Sequence, residues 1–162
     1  MTFTHLYVRN GKVIIPTVVR TEAGFYIDIN PVAVIDVKDT EALKSTLLAT
    51  LQMHNPKVPT PQQQEEPGSV ILETLGIKRW EAFERGAVFY TIHQGTGSID
   101  IYTTGRGTDG MWIQDKGKHK VFDLSTPLLP VVNSIIEDML AQPEAVRTEP
   151  KLPMLLPPPE KS

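Results

Sequence analysis

A chain of 162 residues, 40% hydrophobic and 22% charged, is long enough to bury one core and too apolar for wholesale disorder. Its formal net charge of −3 gives no basic footprint for phosphate backbones, so no nucleic-acid partner is expected. With no cysteine, disulfides, thiolate catalysis and cysteine metal sites are excluded.

The opening MTFTHLYVRNGK lacks a basic region followed by a long apolar run, and no stretch reaches the ~20 apolar residues of a membrane helix. A cytoplasmic protein with no membrane partner is the expectation. Residues 3–9, 12–20, 24–29 and 32–37 read as four short strands. Asn10-Gly11 is a hairpin signal, because both residues accept positive φ. Phe25, Ile27 and Ile29 alternate with Tyr26 and Asp28, the pattern of a half-buried strand. Pro16 cannot donate to a ladder, which predicts an edge or a bulge in the second strand. Strands this close must turn tightly, so an antiparallel meander is expected.

Asp39 is placed to cap a helix that runs to about Met53, and Leu43, Leu47, Leu48 and Leu51 form its apolar stripe. That stripe is expected to pack on the meander. Residues 55–68, NPKVPTPQQQEEPG, form a proline-rich linker crossing the surface of one domain. Further on, Gly76 and Gly86 both read as left-handed helix stops. Trp80 and Phe83, three apart between them, are expected to pin a short helix onto a sheet.

After Gly86 the period changes. Val88, Tyr90 and Ile92 alternate with Phe89, Thr91 and His93; Gly95-Thr96-Gly97 turns the chain; Ser98–Thr104 alternates again. Residues 110–115 and 118–124 are further strand candidates. Thr126-Pro127 opens a last helix with a broad apolar face of Leu128, Val132, Ile135 and Met139 beside Leu129, Ile136 and Leu140. Pro143 ends it. The whole predicts an α+β fold, an antiparallel β-sheet with helices packed on it in a single compact domain over 1–142. A proline-rich tail occupies 143–162.

Chemistry is harder to place. Gly105-Arg106-Gly107-Thr108-Asp109-Gly110 matches G-x-G-x-x-G in letter, but Met111–Asp115 alternates like a strand where a dinucleotide site needs a helix. His5, His54, His93 and His119 lack ligand spacing. His93 and Asp100 can approach across the hairpin with His119 on a neighbouring strand, either as an acid–base or metal cluster or as plain surface histidines. Glu65-Glu66 falls in the linker, and Glu137-Asp138 beside an apolar stripe on a solvated face. Neither pair has a partner expected to shift a pKa. No serine sits in a G-x-S-x-G elbow. No catalytic residue, cofactor or metal is therefore assigned. Residues 70–80 also look like the front of a helix-turn-helix with Gly76 in the turn, giving a DNA-binding regulator as the alternative. Its second helix would be short and would bring Glu81 and Glu84 to the phosphates.

The run LGIKRWEAFERGAVFYTI resembles a segment of bacterial contact-dependent growth inhibition immunity proteins. One group of these carries Leu-Gly-Val-Lys-Ser-Trp-x-x-Phe-x-x-Gly-Ala leading into strands and a Gly-rich turn. Here Leu75, Gly76, Lys78, Trp80, Phe83, Gly86 and Ala87 fill the corresponding places, while Arg79 replaces a small polar residue and Ile77 a valine. The resemblance implies a cytosolic, non-enzymatic protein that binds and neutralises a toxin domain, a nuclease in many such systems. The loop from Arg106 to Asp109, with Trp112 and Asp115, is the expected toxin contact, since a Gly-rich loop beside an aromatic suits an anchor. The other reading of Trp112 is core.

Overall fold

A computed structural model describes residues 1–61, 68–106, 112–114, 117 and 119–142. Its first three strands are β1 (Thr2–Arg9), β2 (Lys12–Thr21) and β3 (Tyr26–Asp36), followed by helix α1 (Thr40–Gln52) and the two-residue β4 (Lys57–Val58). Then come α2 (Ser69–Leu75), α3 (Trp80–Glu84), β5 (Ala87–Gln94), β6 (Ser98–Arg106), β7 (Trp112–Gln114), β8 (Lys120–Asp123) and α4 (Leu128–Leu140). The strand order is β3-β2-β1-β5-β6-β7, with β4 pairing β2 and β8 pairing β6. Every pairing is antiparallel except the short β2–β4 contact. This is the expected α+β architecture in one domain. No described helix is long and apolar enough to cross a membrane.

The Asn10-Gly11 turn takes positive φ at both residues (49° and 73°), the geometry that matches the twist of a two-residue hairpin. Pro16 bulges rather than marks an edge. The β2–β3 register slips between Ile15 and Thr17, where Pro16 lies opposite 30–32 and the missing amide breaks the ladder. The expected strands 24–29 and 32–37 are therefore one strand, β3, running through the cis Asn30–Pro31 bond. The expected meander holds over β1, β2 and β3, and β5 pairs along the whole of β1, joining the two halves in one sheet.

Alternation gives the sheet two apolar faces. Leu6, Val8, Val13, Ile15, Val88, Tyr90, Ile92, Ile99 and Ile101 face α1 and α4, which contribute Leu43, Leu47, Leu51, Val132, Ile135 and Met139. At roughly 1.5–3 kcal/mol for each large side chain buried, this is the main core. Asp39 caps α1 as expected, accepting from the Ala42 amide at 3.2 Å. On the opposite face Tyr7, Ile14 and Ala87 meet Ile71 and Leu72 of α2 and Phe83 of α3. Trp80 and Phe83 do pin the short helix: Phe83 is fully buried and both rings pack on Tyr7.

Several local expectations differ. Gly76 is the left-handed stop (φ 69°), with the Ile77 amide donating to Leu72. Gly86 is not, since its φ is not positive and α3 closes through Arg85 and Gly86 amides donating to Glu81 and Phe83. Helix α4 begins at Leu128 with Pro127 at the cap position, one residue later than the Thr126-Pro127 signal suggests. Asp138 does not lie free on a solvated face. Its carboxylate accepts from the Tyr90 hydroxyl at 2.6 Å and from Gln142, tying α4 to the sheet. The linker is partly built in as well. Lys57 and Val58 pair with Arg20 and Thr21, and the Ala23 amide donates to the Thr60 hydroxyl. Residues 62–67 and the tail from 143 lie outside the described residues.

Candidate functional site

The face that carries Tyr7 continues past α2 and α3 toward the start of β1, and there its side chains remain half-exposed. Register decides which residues meet. Phe3 pairs with His93, His93 with Asp100, Thr91 with Tyr102, and directly opposed residues share a face. The outcome is a continuous row of rings contributed by four strands, β3, β1, β5 and β6, and by the segment before β8. Tyr26 stacks on Phe3 at 4.1 Å, Phe3 on His93 at 4.2 Å, His93 packs on Tyr102 at 4.9 Å, and Tyr102 stacks on His119 at 4.4 Å.

Asn55 fixes the backbone at the β1 position of this row. The β1–β2 register runs from Arg9–Lys12 to Tyr7–Ile14. Farther along, Asn55 stands in for the ladder. Its carbonyl accepts from the Phe3 amide at 2.8 Å, and its amide donates to the carbonyls of Phe3 (2.9 Å) and Val18 (3.0 Å). A linker residue thus holds the backbone of a ring in the row.

Two carboxylates organise the polar groups. Asp28 accepts from His5 at 2.7 Å and from the Tyr7 hydroxyl at 3.2 Å. Burial, then the charge and hydrogen bond of Asp28, push the Tyr7 phenol far above its ordinary value. Asp100 accepts from Ser98 at 2.5 Å, from His119 at 3.2 Å and from Tyr102 at 3.3 Å. The Ser98 bond above all, with those from His119 and Tyr102, holds its carboxyl below the usual range. Burial and the Asp100 charge raise the Tyr102 phenol. Burial pushes His93 below the ordinary imidazole value, with Asp100 opposing and His5 adding to the shift, so at neutral pH its ring is an uncharged aromatic.

The expected approach of His93, Asp100 and His119 is therefore real, but the groups divide their roles: His93 stacks, and His119 bonds Asp100. Ser98 gives its proton to Asp100 rather than to an imidazole, so it is not held as a base-activated nucleophile. Among the described residues no group of three His, Asp or Glu side chains is arranged to hold a metal ion. What the arrangement offers is a half-exposed surface of packed rings with hydrogen-bonded polar groups beside them.

Of the residues read from sequence as a toxin contact, Arg106 and Trp112 are register partners where β6 meets β7. Asp109 and Asp115 lie outside the described residues. Sequence reasoning missed Phe3, Tyr26, Tyr102, Asp28 and Asn55. The signal was present as aromatics on alternate strand positions, but only the strand order and registers of the sheet, β1–β5 above all, bring them together.

The fold belongs to the antiparallel α+β class with helices on both faces of the sheet. No family model matches the chain, and no curated protein matches it. Among solved structures it is similar to a protein of unknown function from Neisseria meningitidis. The two share 15% identity over 86% of this chain and 93% of that one, with a TM-score of 0.57. At that identity the likeness shows the fold alone.

Proposed function

We propose that this protein is an immunity protein that binds and neutralises the C-terminal toxin domain of a bacterial contact-dependent growth inhibition system. The observation that carries the reading is the half-exposed aromatic row, Tyr26–Phe3–His93–Tyr102–His119, on an open sheet face. Rings locked against each other lose little entropy on binding and suit a broad protein contact, whereas small-molecule sites are concave and enclosing. The resemblance over residues 75–92 supports the same reading. Its Trp80 and Phe83, on α3, and Ala87, at the start of β5, pack in the smaller core with Tyr7, Ile71 and Leu72 as fold-forming residues.

On this reading the protein works in the cytoplasm by occlusion, with no catalysis, cofactor or nucleic acid of its own. A nuclease toxin has a basic cleft, and acidic surface groups on the inhibitor would steer it into contact. For the alternative, a DNA-binding regulator, α3 offers five residues with Phe83 turned into the core.

The test is growth protection. The C-terminal region encoded by the gene immediately upstream is expressed in cells with and without this protein. Rescue from growth arrest supports immunity, and arrest that persists at full expression rejects it for that pair.

A further inference from the structure

We infer that the toxin domain docks on the Phe3–His93–Tyr102 stretch of the sheet face, with a lysine or arginine of the toxin against Asp100 and Asp123; this rests on the immunity reading. Charge along the row is uneven, and that selects the end. Arg20 and Lys57 are exposed strand partners beside Tyr26, and the nearby carboxylate, Asp28, is already engaged by His5 and Tyr7, so that end presents cations. At the other end Asp123 is the strand partner of Ser98, two residues from Asp100 on the same face.

Both carboxylates at that end are fixed by local bonds. Asp100 takes Ser98, Tyr102 and His119, and Asp123 takes the Ser125 amide at 2.9 Å and hydroxyl at 2.6 Å. An ionised carboxylate keeps acceptor capacity beyond these bonds, and neither group has to reorganise to receive a cation. Val121, 58% exposed and the strand partner of Asp100, continues the apolar surface beside them. Aromatic anchors flanked by pre-set charges are the composition of a protein-binding hot spot. The occupant is therefore a protein surface carrying a basic group beside an apolar one.

The experiment is a calorimetric titration of the upstream gene's C-terminal domain into wild-type protein and into variants with unchanged thermal unfolding. Asp123→Lys is the first variant, because its side chain bonds only the local Ser125 turn among the contacts described. His119→Ala, exposed at the end of the row, is the second, and Glu137→Lys on the outer surface of α4 is the control. Docking as inferred requires at least about 10-fold weaker binding for Asp123→Lys and for His119→Ala, with Glu137→Lys unchanged. Wild-type affinity should also fall as salt rises. A tight wild-type complex that both variants retain overturns the docking surface and leaves immunity standing. No complex with the wild-type protein overturns both.

Discussion

Replacing Asn55 by alanine removes three hydrogen bonds at the point where Asn55 bridges β1 and β2. The Phe3 amide and the carbonyls of Phe3 and Val18 lose their partner. A fully buried orphan group costs about 1–3 kcal/mol, but this site is half-buried and water can recover part of that. The expected net loss is about 2–3 kcal/mol. At roughly 2–4 °C per kcal/mol for a domain of this size, Tm should fall by about 4–12 °C. Asn55→Asp separates hydrogen bonding from shape. It retains the acceptor for the Phe3 amide but sets a carboxylate against two carbonyls, so at pH 7 it should be less stable than the alanine variant. That placement raises the folded-state pKa of the new carboxyl. Its protonated form is then favoured by folding, and the deficit should shrink as pH falls through about 5 toward 4. Urea unfolding of both variants at pH 7 and pH 4 reads this out. A loss below about 0.5 kcal/mol for alanine, or an aspartate variant more stable than alanine at pH 7, would refute the bridging role.

Phe83→Ala empties the centre of the smaller core, where the ring meets Tyr7 and Trp80, and should cost about 3–5 kcal/mol in chemical denaturation; a loss under 1 kcal/mol would place the ring outside the core. Gly68 sits at φ 80°, and a Cβ there would collide with the Trp80 ring. Gly68→Ala should therefore destabilise by about 1–3 kcal/mol, and wild-type stability would contradict that packing. His93 has a depressed folded-state pKa, so the unfolded chain takes up its proton first and stability is lost as pH falls below the ordinary value of about 6.5. His93→Phe keeps a ring on Phe3 and removes the proton. Its stability curve between pH 7 and pH 5 should be flatter than wild type, and parallel curves would show that His93 does not contribute.

Local signals in the sequence were sufficient for most of the elements. The Asn10-Gly11 turn, the Asp39 cap and the Gly76 stop each depend on one or two residues, and each forms as expected. The alternation of Val88, Tyr90 and Ile92 placed the main face of the sheet correctly. Gly86 shows the limit of such rules, because a helix end can close through αR geometry without a left-handed residue. Asp138 shows another, since helical spacing cannot reveal that Tyr90, distant in sequence, reaches across to bond it.

The candidate site was legible only as separate parts. His93 facing Asp100 follows from a short hairpin whose register its turn fixes. Phe3 facing His93 depends on pairing between strands some 90 residues apart, which no local pattern encodes. Asn55 was hidden for a related reason. Followed by Pro56 at the start of a proline-rich polar stretch it reads as linker, and its role exists only where β1 and β2 separate.

The most direct measurement on the protein is a paired titration with the upstream gene's C-terminal domain and with duplex DNA, each at low and physiological salt. Immunity requires a tight one-to-one complex with the toxin domain and no comparable affinity for DNA. A duplex affinity that falls steeply with salt, with no toxin complex, would contradict it and identify a DNA-binding protein instead.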